Sequence, residues 1–220
     1  MKKILAMLLV FVLLCGLCAC SDGGSETPDG IGNDEISEIP GVIKSGENWI
    51  FDITYDEFCQ EMVEVFSVIT GATEDAVIKY CNEIPVYDGT LDYYAGNLDK
   101  YEIGLEASQF SNALFVLKVE VYVEPETEKV VTVSVFKANG SSTLDNFNML
   151  ANKASLILSG RIVGEMDDCL VKTIDQDWEQ LHYFEYEGCG MEFEQQKSGV
   201  SGGDLRRLNV YPAESFEIPE

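Results

Sequence analysis

The cysteines near the start of the chain raise the first question of chemistry, because Cys15, Cys18 and Cys20 stand in one short segment. Thiolates at this spacing could bind a metal ion, form disulfides or carry a covalent lipid. An uncharged apolar run from Ile4 to Leu14 precedes them and follows two lysines, which is the order of a secretory signal peptide. Cleavage of such a peptide would remove Cys15 and Cys18, so the sequence favours a targeting role over a metal site.

The segment Leu17-Cys18-Ala19-Cys20 contains an aliphatic residue, a variable residue, a small residue and then a cysteine. It resembles the lipobox of bacterial lipoproteins, in which the cysteine is lipidated and becomes the first residue of the mature chain. The resemblance implies a signal peptide over residues 1–19 and a palmitate-type anchor at Cys20. It also implies a protein held at the extracytoplasmic face of the cell membrane. An ordinary cleaved signal peptide without lipidation is the alternative.

The composition is strongly acidic, with 39 Asp and Glu against 14 Lys and Arg and a formal net charge of −25. Removal of residues 1–19 would make the charge more negative, because it takes away Lys2 and Lys3. Such a charge repels nucleic acid and anionic lipid headgroups, so the sequence argues against a nucleic-acid partner. Basic proteins and divalent cations remain open as partners. A solvated surface that keeps the protein soluble also explains the charge.

The domain organisation follows from a change of composition near Trp49. Residues 20–48 are rich in Gly, Ser, Pro, Asp and Glu and contain no aromatic residue, which predicts a flexible acidic tether. Residues 49–220 are enough for one domain with its own hydrophobic core.

The first elements of this domain are predicted to be helices. Thr54 and Glu57 form a capping-box pattern, apolar residues recur at helical spacing, and Gly71 ends the pattern. A second short helix begins at Thr73 and ends before Pro85. Alternating apolar residues then predict strands, which include an antiparallel hairpin formed by the segments "ALFVLKVEVYVE" and "KVVTVSVFK".

The same order recurs later in the chain. The segment "TLDNFNMLANKASLILSG" aligns without gaps on residues 54–71, and strand-like segments follow it. We therefore predict an α+β fold made of two tandem helix-helix-antiparallel-strand repeats, at about 54–138 and 143–212. The helices are expected to pack on one face of an antiparallel sheet.

The segment "ITGATEDAV", with Gly71, Thr73 and Val77, resembles the turn between the two helices of SmpA/OmlA-type small bacterial lipoproteins. The second copy keeps a glycine at Gly164 but has Met166 in place of the threonine. A tandem arrangement of this unit is similar to the fold of the β-lactamase-inhibitory protein. The resemblance implies a protein-binding sheet and no catalysis.

Four cysteines fall within the predicted domain: Cys59, Cys81, Cys169 and Cys189. Outside the cytoplasm they could form disulfides. Cys59 and Cys81 lie on the inward faces of adjacent predicted helices, and a Cys169–Cys189 bridge would be the equivalent in the second repeat. Four buried free thiols are an equally favoured alternative. No pair has the Cys-x-x-Cys spacing of a zinc site.

No motif predicts catalysis or a cofactor. His182 is the only histidine, and no Ser or Cys can be identified as its nucleophilic partner. Asp175, Asp177 and Glu179 alternate but lack the glycine and the closing glutamate of an EF-hand loop. A solvated loop is therefore favoured there over a weak calcium site.

One side of the predicted hairpin carries Tyr122 and Phe136 among polar residues, and Tyr186 lies on a later strand. Aromatic residues in such positions serve as anchors at recognition surfaces or pack under a covering segment. The sequence thus predicts a lipid-anchored, non-catalytic module that binds an envelope or extracellular protein through its sheet. The alternatives are an accessory ligand- or cation-sensing lipoprotein of a transport or signalling system, and an extracytoplasmic hydrolase that uses carboxylates.

Overall fold

A computed structural model describes most of the chain from residue 41 onward, which includes the end of the predicted tether. All of its described residues belong to one unit. The predicted signal peptide and Cys20 lie outside them. The chain within this part is α+β, with helices and a large antiparallel sheet. The described ranges are 41–84, 86–107, 115–138, 144–196 and 205–220.

Helix α1 spans Tyr55–Thr70 and begins and ends as the sequence predicts. The backbone N–H of Glu57 donates to Thr54 Oγ1 at 3.3 Å, and the N–H of Thr54 donates to Glu57 Oε2 at 2.8 Å, which completes the capping box. The helix ends at Gly71, whose φ of 70° is left-handed and suits glycine. Helix α2, Glu74–Glu83, begins after Thr73, whose hydroxyl accepts from the N–H of Ala76.

Helix α3 spans Leu144–Ser159, and Gly160 follows it with a left-handed φ of 74°. The prediction of a second helix after it is wrong, since two short 3-10 turns, Val163–Glu165 and Asp167–Cys169, occupy that place. Met166 stands where Thr73 caps α2, and its side chain offers no oxygen to the free N–H groups of a helix start. Among the described residues, no helix combines the length and the apolar character needed to cross a membrane.

The strands form a two-stranded hairpin and an eight-stranded antiparallel sheet. The order of the large sheet is β3-β4-β5-β6-β10-β9-β8-β7, so two meanders meet where β6 pairs with β10. The bounds are β1 Val42–Ser45, β2 Asn48–Phe51, β3 Tyr87–Gly89, β4 Leu98–Ala107, β5 Phe115–Val123, β6 Val130–Lys137, β7 Leu170–Asp175, β8 Glu179–Tyr186, β9 Cys189–Gln196 and β10 Arg206–Pro212.

The hairpin β1–β2 places the start of the folded part earlier than the predicted boundary at Trp49. Val42 pairs with Phe51, and Ile43 pairs with Ile50. Phe51 and Ile50 are fully buried, so this hairpin contributes to the core.

The main core joins the helices to alternate residues of the central strands. Simple alternation with Val133 and Val135 predicts that Val131 faces the core. Val130 enters this core instead, because a register shift between Tyr122 and Val123 moves the pairing by one residue. Val131 instead packs in a smaller cluster with Ile50 and Leu98. Members of the main core include Phe58, Met62, Phe66, Leu117, Val119, Val121, Val133, Val135, Phe147, Leu150, Leu158, Met191, Leu208 and Val210.

Candidate functional site

The side chains that alternate with the core residues form a second, largely polar surface of the sheet, which we call the polar face. Strand register places its members on neighbouring strands from β4 to β8. They are Lys100 and Glu102 of β4, Lys118, Glu120 and Tyr122 of β5, Thr132, Ser134 and Phe136 of β6, Arg207, Asn209 and Tyr211 of β10, Glu192 and Glu194 of β9, and Glu179, Leu181 and Tyr183 of β8.

A ladder of ion pairs crosses β4 and β5 on this face. Glu120 Oε1 accepts from Lys100 Nζ at 2.7 Å and from Lys118 Nζ at 2.7 Å. Lys118 Nζ also donates to Glu102 Oε2 at 2.9 Å. Desolvation acts to raise the pKa of Glu120, but the hydrogen bonds from the two ammonium groups outweigh it and hold the pKa below its usual range. The ladder therefore fixes these side chains in one arrangement.

Aromatic rings extend the ladder towards β6 and β10. Lys100 Nζ lies 5.5 Å from the ring centroid of Tyr122. Phe136 lies between two cations, with Lys118 Nζ at 5.6 Å and the guanidinium carbon of Arg207 at 5.4 Å from its centroid. These distances are those of cation–π contacts. The structure thus places Tyr122 and Phe136, two of the three predicted binding residues, on the same surface.

The β8–β9 side of the polar face is richer in carboxylates. Partial burial raises the pKa of Glu194, and the neighbouring Glu179 and Glu192 add to the rise, while Arg207 opposes it from 3.7 Å. Glu192 Oε1 accepts a hydrogen bond from Asn209 Nδ2 at 3.1 Å. This region therefore carries an excess of negative charge.

A pocket of about 290 Å³ opens on the polar face where β5, β6, β10 and β9 meet. Tyr93 stands at its wall and shares a hydrogen bond of 2.6 Å with Thr132 Oγ1. Phe216, from the segment after β10, has its ring centroid 4.8 Å from Tyr211 and 5.8 Å from Tyr93. The aromatic rings of three separate chain segments therefore meet here.

The third predicted binding residue, Tyr186, lies elsewhere. It has the same strand parity as Phe184, a core residue of β8, so its side chain is on the opposite side of the sheet from Tyr122 and Phe136. The guanidinium of Arg161 lies 4.9 Å from its ring centroid. Grouping Tyr186 with the other two is wrong, because the side chains of a strand alternate between the two faces.

The four cysteines of the domain are free thiols in the structure. A hydrogen bond with the Cys81 thiol, together with burial, raises the pKa of Cys59, so this predicted pair is in contact. The other pair has different neighbours: Cys169 Sγ lies 3.0 Å from Arg161 Nη1, and the Cys189 thiol is directed at the carbonyl of Gly190 at 3.9 Å.

His182 lies on the core side of β8 and has structural partners. Its Nδ1 is 3.0 Å from the hydroxyl of Thr173, and its ring is stacked on Phe193 with the centroids 6.3 Å apart. Asp175, the first carboxylate of the candidate calcium loop, accepts a hydrogen bond from Gln180 at 2.9 Å. Within the described ranges, no group of three or more His, Cys, Asp or Glu side chains is placed to hold a metal ion.

The residues that complete the pocket were not among the binding residues predicted from the sequence. Tyr93 lies in the connection between β3 and β4, and Phe216 follows the last strand, so neither belongs to a periodic pattern. Tyr211 and Glu192 fall in predicted strands, and their alternation with Val210 and Met191 is the signal that could have placed them on one face.

Comparison with known proteins assigns no family. No family model matches this sequence, and no curated protein or solved structure matches it either.

Proposed function

We propose that this chain is a lipid-anchored, extracytoplasmic module that binds an envelope or extracellular protein through its polar face, without catalysis. The observation that carries the proposal is the ladder of Lys100, Lys118, Glu102 and Glu120 with Tyr122 and Phe136 beside it. The described part of this face offers aromatic anchors among charges held in fixed positions. Such a surface binds without a large cost of side-chain ordering.

We also infer the finer architecture of two tandem repeats, with the helices packed on one face of the sheet. Three observations support it. Each meander follows a helix of 16 residues, α1 or α3. Each of these helices ends at a glycine with a left-handed φ, Gly71 or Gly160. The strand order is symmetric about the β6–β10 pair. In this arrangement the polar face is the side of the sheet that the helices leave open.

The anchor is part of the proposal and concerns residues outside the described ranges. The lipobox-like segment that ends at Cys20 is its only support. A Cys20→Ala variant is expected to lose its association with membranes while circular dichroism of the domain stays unchanged. Recovery of this variant in the membrane pellet, at the level of the parent chain, would contradict the anchor.

A ligand-sensing lipoprotein is the second candidate, and the pocket of about 290 Å³ is the observation that favours it. Its volume lies near the lower limit of roughly 300 Å³ for small-molecule sites. A protein partner remains the better proposal, because Tyr122 and Phe136 extend the candidate surface from the pocket wall to the neighbouring strand.

Site-specific photo-crosslinking in the source cells tests the binding face. Benzoylphenylalanine replaces Tyr122 or Phe136 in the full chain, and the matched control carries it at Gln60, an exposed residue of α1. We expect the two polar-face positions to give an adduct with the same protein and the α1 position to give none. Equal crosslinking from Gln60, or no adduct from either face position in a folded chain, would contradict the proposal.

A further inference from the structure

The pocket on the polar face combines two kinds of group that attract a cation. Its walls contain rings whose faces carry negative electrostatic potential, and carboxylates whose oxygens accept charged hydrogen bonds. The rings are Tyr93, Tyr122, Tyr211 and Phe216, and the carboxylates are Glu120 and Glu192.

The two carboxylates differ in whether a neighbouring cation already neutralises them. Glu120 is neutralised by Lys100 and Lys118, which both donate to it at 2.7 Å. Among the ion pairs between described residues, none includes Glu192, whose hydrogen-bond partners, Asn209 and Tyr183, are both uncharged. The negative charge of Glu192 is thus available to a ligand in the pocket.

The Glu192 carboxylate contributes to the raised pKa of three tyrosines. Burial first, and then the Glu192 carboxylate, raise the pKa of Tyr183 to about 12. The same carboxylate adds to the rise that burial causes in the pKa of Tyr93 and Tyr211. Glu192 therefore lies among tyrosines whose hydroxyl groups stay protonated and uncharged at neutral pH.

Arg207, the one cation among the described residues that line the pocket, already has partners. Arg207 lies 3.7 Å from Glu194 and is stacked over Phe136 at 5.4 Å, so its charge is directed to these two partners. An anionic ligand would meet Glu192 and a chain of net charge −25. An uncharged apolar ligand would leave the Glu192 carboxylate desolvated without compensation. An organic cation satisfies both the carboxylate and the rings.

We propose that the pocket receives the cationic side chain, Lys or Arg, of a protein segment bound on the polar face. The proposal rests on the proposed function and specifies the chemistry of its partner. The pocket shares Tyr122 and Arg207 with the ring contacts of the polar face, and Arg207 lies over Phe136, so a segment seated there reaches both anchors. The acidic chain also attracts basic segments over a longer distance and so raises their rate of association.

Titration of the full chain in detergent with short peptides tests this proposal. The probes are acetyl-Gly-Lys-Gly-amide and the peptides in which norleucine or glutamate replaces the lysine, and saturation-transfer NMR measures their binding. We expect the lysine peptide to bind at least about fivefold more tightly than the norleucine peptide, which has the same chain without the ammonium group. The glutamate peptide is expected not to bind.

Two variants locate the effect. Glu192→Gln keeps an oxygen for Asn209 and removes the charge, and Glu64→Gln removes one charge from an exposed position of α1. Glu192→Gln should weaken binding of the lysine peptide at least about fivefold, and Glu64→Gln should leave it unchanged. Equal losses in both variants, or equal binding of the lysine and norleucine peptides, would overturn the proposal.

Butylamine separates a protein segment from a free amine as the source of the cation. If butylamine binds as tightly as the lysine peptide and photo-crosslinking finds no protein, both the protein source and the proposed function are wrong. If crosslinking from Tyr122 and Phe136 finds a partner but the lysine peptide does not bind, only the cation pocket is wrong.

Discussion

On β4–β6 the polar face carries cations and carboxylates in a closed ladder, whereas on β8–β9 it carries carboxylates with less compensation. Glu120 lies between two ammonium groups, and its pKa is held below its usual range. Glu194 lies beside two other glutamates with one guanidinium 3.7 Å away, and its pKa is raised. The first half is arranged for its own stability, while the second half carries negative charge that its own cation compensates only in part.

The thiols near the two halves also differ, since one pair lies on α1 and α2 and the other lies just before β7 and in β9, and oxidation should show the largest difference. Treatment with diamide is expected to link Cys59 to Cys81, because these thiols are in contact, and to raise the free energy of unfolding by about 3 kcal/mol. Cys169 and Cys189 have separate neighbours and should stay unlinked. Peptide mapping by mass spectrometry checks both statements. A Cys169–Cys189 link formed at the same rate would contradict this difference.

Substitution of one glutamate in each half should change stability in opposite directions. Glu120→Gln leaves two neighbouring ammonium groups without their shared carboxylate, and it should lower the free energy of unfolding by about 1–2 kcal/mol. Glu194→Gln removes repulsion and should raise it by up to about 1 kcal/mol. Urea denaturation of the two variants measures both changes. Equal destabilisation by both would remove the distinction between the halves.

The pH dependence of these variants sharpens the same distinction. Because the pKa of Glu120 is lowered on folding, its stabilising contribution is present above the usual value of 4.5 and is lost as pH falls through the folded pKa. The pKa of Glu194 is raised, so its unfavourable charge is present above the folded pKa and disappears as pH falls through it.

Urea denaturation from pH 7 down to about pH 3 follows both effects. The stability advantage of the parent chain over Glu120→Gln should shrink on acidification. Its disadvantage against Glu194→Gln should also shrink, beginning at a higher pH. A constant difference for either variant over this range would be inconsistent with the shifted pKa of that glutamate.

The smallest expected effect is at the boundary between the halves. Phe136→Leu removes the ring that Lys118 and Arg207 share, and it should lower the free energy of unfolding by about 1 kcal/mol. The matched control is Tyr87→Leu, which changes an aromatic residue at an exposed position of the edge strand β3. Thermal unfolding should show a lower Tm for the first variant and no comparable change for the second.

Local chemistry made the first helices predictable. Thr54, Glu57 and Gly71 act within a few residues of one another, so their capping roles are visible in the sequence. The helical spacing of Tyr55, Phe58, Met62, Val65 and Ile69 predicts the buried stripe of α1 only in part, since Phe66 is fully buried while Val65 and Ile69 are partly buried. Which residues of a helix are buried depends on the surfaces that pack against it.

Longer-range features were not predictable in this way. The bulge that exchanges Val130 for Val131 depends on how β6 pairs with β5, and β7 is a largely exposed edge strand without a continuous apolar pattern. The pocket depends on Tyr93 and Phe216, which are brought together by the folding of distant segments. Sequence periodicity predicted the strands that position the candidate site, but it could not predict how loops close over it.

The most direct test of the polar face as a binding surface is thiol labelling in membranes of the source cells. In a Cys169→Ser background, a cysteine replaces Tyr122 on the polar face or Gln60 on α1, and the rate of maleimide labelling is compared with that of the purified chain. We predict slower labelling in membranes at position 122 and no change at position 60. Equal rates at position 122 in membranes and in the purified chain would show that no partner covers the face.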